Sequence, residues 1–151
     1  MSIEVMTTVW NRSQHQQTNL ICLLALADAA NEDGFCWPGI QTIAHRCRCN
    51  KRNALYVIDK LEASGELLTR RGRGYGNTNH YLITVAVPPG MLADLLIRYF
   101  ECSAVDAVEI ATVHCQKRDE WQSKIPSVSH RIRQRKRCNA AHKRATHCTF
   151  K

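Results

Sequence analysis

The stretch from Ile40 to Gly65, IQTIAHRCRCNKRNALYVIDKLEASG, decides the fold. Its first part places Ile40, Ile43 and Ala44 at helical spacing. After a break of a few residues Asn50 can cap a second helix, in which Ala54, Val57, Ile58 and Leu61 keep the 3.6-residue period until Gly65 ends it. Two amphipathic helices joined so tightly share one core only by crossing steeply, which is the geometry of a helix-turn-helix. The second helix, Asn50 to Glu62, is then the one presented outward.

Upstream, Ser13 and Gln16 have capping-box spacing ahead of an apolar stripe at Leu20, Leu23, Leu24 and Ala27. Asn31, Glu32, Asp33 and Gly34 are turn formers, so a first helix is predicted over Gln14 to Ala30. Trp37, Pro38 and Gly39 lead from it into the second helix.

Downstream, Glu66 to Arg70 and His80 to Val87 carry β-branched and aromatic residues, and the loop Arg71 to Asn79 between them is basic and rich in glycine. This reads as a hairpin wing. Pro88, Pro89 and Gly90 close the segment, and Met91 to Phe100 and Ala104 to Cys115 read as two apolar helices that cover the wing domain or pair two copies. The predicted fold is α+β: a three-helix core plus a β-hairpin wing over 1–88, a helical extension over 89–116, and a basic tail over 117–151.

Charge supports a nucleic-acid partner. The net +8 is uneven: 40–80 has eight basic residues against three acidic, and 117–151 has eleven against two, whereas 1–39 and 81–116 are each net acidic. Basic blocks on an acidic background suit a phosphate-rich partner, through counterion release. The longest apolar run, Leu20 to Ala27, is far below the ~20 residues of a membrane span. Residues 1–17 lack the pattern of a signal peptide. A cytoplasmic protein is expected, with its eight cysteines reduced.

Several blocks carry a family resemblance: Leu24-Ala-Leu-Ala-Asp28, Ala30-Asn-Glu-Asp-Gly34, Trp37-Pro38, Ile43-Ala44, Leu61-Glu-Ala-Ser-Gly65, and the Gly72 to Tyr81 wing with Asn77. From about Ser13 to Thr84 the chain resembles the winged helix-turn-helix domains of phage and plasmid replication proteins and related small regulators. The resemblance implies DNA binding at an origin or operator. It departs at Gly39, where a serine cap is usual, and at Arg48, where the turn usually has glycine. Arg48 is therefore expected in a left-handed conformation, at a cost of order 1 kcal/mol.

On this reading Lys51, Arg52, Asn53 and Tyr56 face away from the apolar stripe and enter the major groove, with Arg52 suited to guanine and Asn53 to adenine. Arg46, Arg48 and Lys60 suit phosphates. Arg71 and Arg73, with Asn77 in the same wing, suit phosphate or an adjacent minor groove.

No cofactor is expected. His45, Cys47 and Cys49 are zinc-type ligands by composition, but the resemblance places Cys49 at a packed turn position. Cys138, His142, His147 and Cys148, spaced C-x3-H-x4-H-C, are the other candidate zinc ligands, and the adjacent pair fits one tetrahedral ion poorly. The alternative is a basic tail that happens to contain cysteines.

The expected function is sequence-specific binding of double-stranded DNA, in replication initiation or an accessory role for a phage, plasmid or mobile element. A transcriptional repressor with the same binding mode is the alternative, with a homodimer as one possible assembly. A DNA-nicking enzyme and a protein-binding adaptor are further rivals. The sequence has no His-hydrophobic-His pair, Walker loop, clustered carboxylates or nucleophile elbow, so no enzyme activity and no small-molecule substrate are expected.

Overall fold

A computed structural model of the chain describes residues 2–72, 76 and 78–124. The outward helix of the sequence reading is α4, Lys51–Ala63, and its neighbour across the turn is α3, Ile40–Arg46. Ala54, Val57, Ile58 and Leu61 of α4 and Ile43 and Ala44 of α3 are buried. They pack with Cys22, Leu23, Leu26 and Ala27 of α2, Gln17–Ala29, to form the first core. Arg48, in the turn, has φ +52°, the left-handed conformation that a glycine would take without strain.

Beyond α4 the chain makes a hairpin of β2, Leu67–Arg70, and β3, His80–Ile83. A third strand, β1, Phe35–Cys36, pairs antiparallel with the other side of β3, in the order β1-β3-β2. The alternation of β3 then divides the interior: Tyr81 and Ile83 enter the first core, and Leu82 enters a second. That second core is filled by Phe35, Val87, Leu92, Leu95, Leu96 and Phe100 with Ala107 and Ala111. Its helices are α5, Leu92–Phe100, and α6, Ala104–Lys124. The fold is α+β, a winged helix-turn-helix whose sheet is covered on both faces.

Four expectations need correction. An additional helix, α1, Ile3–Arg12, precedes the predicted first one and buries Val5 and Val9, with the Ser2 hydroxyl capping Val5 N–H at 3.4 Å. Ser13 does not cap the next helix. The fully buried Glu66 carboxylate takes the Ser13 hydroxyl at 2.6 Å and the Gln14 N–H at 2.8 Å, so α2 starts only at Gln17. A buried carboxylate left without donors costs more than a missing cap, which decides the competition.

The second predicted strand stops at Ile83. There Thr84 turns inward and donates its hydroxyl to Gly65 O at 2.7 Å, and Thr84–Ala86 form a 3-10 turn. Finally, the last helix does not end at Cys115. It continues to Lys124, so Lys117 and Arg118 belong to a helix and not to a tail. The described residues up to Trp121 form one compact unit.

Candidate nucleic-acid interface

The N-terminal end of α4 is built by its cap. Asn50 Oδ1 accepts the Asn53 N–H at 2.7 Å, which satisfies one of the orphan donors of the first turn and fixes where the helix begins. With about 100° between successive residues, burial of Ala54, Val57, Ile58 and Leu61 turns Arg52, Tyr56 and Asp59 directly outward. Lys51, Arg52, Leu55, Tyr56, Asp59 and Lys60 are all exposed. Asn53 is only half-buried, at the flank of this face, where its N–H serves the cap.

The cations proposed for DNA fall into two groups. Arg48, Lys51 and Arg52 make no ion pair among the described residues, and they surround the turn and the first turn of α4. Lys60 places its Nζ 4.5 Å from the ring centre of the exposed Tyr56. Arg46 and Arg71 are already partnered. Arg46 Nη1 lies 2.6 Å from Asp28 Oδ2 of α2, and Arg71 Nη2 lies 2.6 Å from Asp59 and 3.5 Å from Glu62. The hydrogen bond from Asp59 and then the charge of Glu62 hold the Arg71 guanidinium still more firmly protonated.

Arg73 and Asn77, at the wing tip, lie outside the described residues, as do Cys138, His142, His147 and Cys148. Sequence reasoning missed Leu55, Asp59 and Glu62. The helical period that exposed Arg52 and Tyr56 also places Leu55 and Asp59 on the same side, so the signal was present. The apolar Leu55 at 38% exposure is suited to a thymine methyl group.

Behind α4 a buried polar junction anchors its C-terminal end. His15 Nε2 lies 2.8 Å from Ser64 Oγ, which itself donates to Leu61 O at 2.8 Å; His15 must therefore be the donor. Burial lowers the His15 pKa, opposed by Glu66 and assisted by Lys60. On the other side Thr84 Oγ1 lies 3.1 Å from His114 Nε2, and Arg118 Nη1 donates to Thr84 O at 2.9 Å. The His114 pKa is lowered to about 4, first by burial and then by Lys117 and Arg118.

Gly65 closes α4 with φ +75°, and a Cβ there would sit 2.8 Å from the Arg118 backbone N. Only glycine satisfies both the conformation and the contact.

Among the described residues no group of three or more His, Cys, Asp or Glu side chains is placed to hold a metal ion. His45 is exposed whereas Cys47 is buried, so the alternating triplet of the turn is split between surface and core. No helix of the described residues is long and apolar enough to cross a membrane.

Over 80 residues, 51% of this chain, the sequence is 34% identical to Protein YmfN of Escherichia coli (strain K12). The matched segment spans only 17% of that protein. No solved structure matches the chain. Residues 16–65, which run from the start of α2 to Gly65, match the helix-turn-helix domain family, and a domain of this kind suggests DNA binding.

Proposed function

We propose that this chain binds double-stranded DNA sequence-specifically, and that it serves replication initiation, or an accessory step, in a phage, plasmid or other mobile element. The observation that carries the DNA reading is the set of exposed cations Arg48, Lys51 and Arg52, which make no ion pair among the described residues, at the leading end of a helix whose opposite face is fully buried. Such an end can enter a major groove about 12 Å wide, with Arg52, Leu55 and Tyr56 toward base edges and Arg48 and Lys51 toward the backbone. The acids that line the rest of α4, Asp59 and Glu62, restrict contact to its first two turns. The role in replication rests on the family resemblance. The reading is of a binding protein and not of a catalyst.

Selection of bound duplexes from a random pool tests this directly. Enrichment of one motif supports sequence-specific recognition, and an unenriched pool contradicts it. Direct repeats in the motif favour an origin binder, and a palindrome favours a repressor-like dimer. A nicking assay with magnesium or manganese addresses the catalytic rival, and nicking at the selected motif would overturn the binding-only reading.

A further inference from the structure

Beneath the turn that precedes α4, two sulfurs meet. Cys22 of α2 donates from Sγ to Sγ of Cys47, the C-terminal cap of α3, at 2.9 Å, and both residues are buried. A third cysteine, Cys49, interacts with the same Cys22 sulfur and is only half-buried. A buried cysteine ordinarily fills the place of a small apolar residue. Apolar packing alone gives no reason for one sulfur to rest against another across a helix–helix boundary.

We propose that Cys22 and Cys47 form a thiol-oxidation site, which a peroxide-class oxidant closes as an internal, reversible disulfide. The two sulfurs are already in contact. A disulfide needs sulfurs about 2.05 Å apart, so closure shortens the contact by less than an ångström and leaves α2, α3 and the turn in place. Burial keeps both thiols protonated, so the pair stays reduced until an accessible sulfur reacts first. Cys49 supplies it.

The Cys49 thiolate attacks the peroxide O–O bond, becomes a sulfenic acid and releases hydroxide, which leaves as water with the thiol's proton. Cys22 then attacks the sulfenic sulfur, expels a second water and forms a Cys22–Cys49 bond. Cys47 displaces Cys49 by exchange, and Cys49 regains a proton. In sum two thiols and one peroxide give one disulfide and two waters.

The test uses the reduced full-length chain, hydrogen peroxide, alkylation of remaining thiols and tryptic mapping. Cleavage after Arg46, Arg48 and Lys51 puts Cys47 and Cys49 on different peptides with different masses, and fragmentation of the peptide Ser13 to Arg46 tells Cys22 from Cys36, which it also contains. The expected result is the Cys22 peptide joined to Cys47-Arg48 in monomeric protein. The melting temperature should rise by roughly 5 to 10 °C and return with dithiothreitol. Cys47→Ala should lose the adduct with Cys47-Arg48 and stop at the Cys22–Cys49 bond, and Cys49→Ser should slow the reaction without changing the product. In the unaltered chain, Cys22 still open to alkylation, Cys22 left joined to Cys49 or to a second chain, or a sulfinic acid at Cys22 or Cys47 would each overturn the proposal. The mapping of the unaltered chain is decisive even where a variant folds poorly.

Discussion

Arg71, at the base of the wing, holds Asp59 on the outer face of α4 at 2.6 Å, so the wing's first cation and the helix's central acid neutralise each other. Both are well exposed, so the pair contributes little to stability, about 0 to 1 kcal/mol. Its importance lies in where it stands: it masks one positive charge at the edge of the proposed DNA surface.

Asp59→Asn therefore loosens the hold on Arg71, which keeps Glu62 at 3.5 Å, and removes a negative charge beside the phosphates. Affinity for duplex DNA should rise roughly threefold to tenfold at low salt, and the slope of log affinity against log salt should steepen by up to about one ion. Arg52→Ala should move affinity the other way, by roughly tenfold or more on the preferred sequence. Fluorescence titrations over a salt series measure both. An Asp59→Asn chain that binds more weakly would contradict the masking role.

At Gly65 the expected effect is on stability. Gly65→Ala forces a side chain into φ +75° and against the Arg118 backbone. It should lower the unfolding free energy by about 2 to 4 kcal/mol, the sum of conformational strain and overpacking. Gly90→Ala, where nothing lies within 4 Å and φ is ordinary, should change stability by less than about 0.5 kcal/mol. Urea unfolding of the two variants side by side checks the contrast.

Acid should weaken the fold through His114. Its folded pKa of about 4 is below the ordinary 6.5, so between these values the unfolded chain binds the extra proton. Stability is then complete above about pH 6.5 and falls as the pH drops toward 4, by roughly 3 kcal/mol at most. His15, shifted in the same direction, adds to the slope. His114→Gln should flatten the stability curve in this window, and an unchanged slope would show that other groups carry it.

Removal of the cap of α4 gives a smaller effect. Asn50→Ala leaves the Asn53 N–H without its 2.7 Å partner and should cost about 1 kcal/mol. Asn50→Asp, which keeps an acceptor and favours the helix dipole, should hold stability but weaken DNA binding by adding a negative charge near the phosphates. Thermal melts and DNA titrations of the pair separate the two contributions.

The elements that were legible in the sequence are those fixed by local periodicity. Asn50, the stripe from Ala54 to Leu61 and Gly65 marked α4, and the glycine-rich loop between two β-prone runs marked the wing. The parts that were hidden depend on partners distant in the chain. Phe35–Cys36 is a strand only because Tyr81 and Leu82 pair with it. Ser13 read as a cap because nothing local showed that Glu66 would be buried and need its hydroxyl. The charges after Gln116 read as a tail, whereas Arg118 reaches Thr84 and Trp121 packs 5.7 Å from the His15 ring.

The same distinction applies to the candidate site. Exposure of Arg52 and Tyr56 follows from the helical period, but the capture of Arg46 by Asp28 and of Arg71 by Asp59 depends on tertiary placement. Val5 and Val9 did carry a local signal for α1, with i,i+4 spacing behind a serine cap.

The close approach of Gly65 to Arg118 means that α4 cannot be treated as an interchangeable cassette. Its trailing end is seated against a helix contributed from far downstream, so a transplanted helix that ended in anything but glycine would be rejected by the scaffold. Its leading end has no such neighbour among the described residues. Engineering or natural divergence of DNA preference is thus channelled into the exposed Lys51, Arg52, Leu55 and Tyr56, which can vary without disturbing the seat or the buried Ala54 between them.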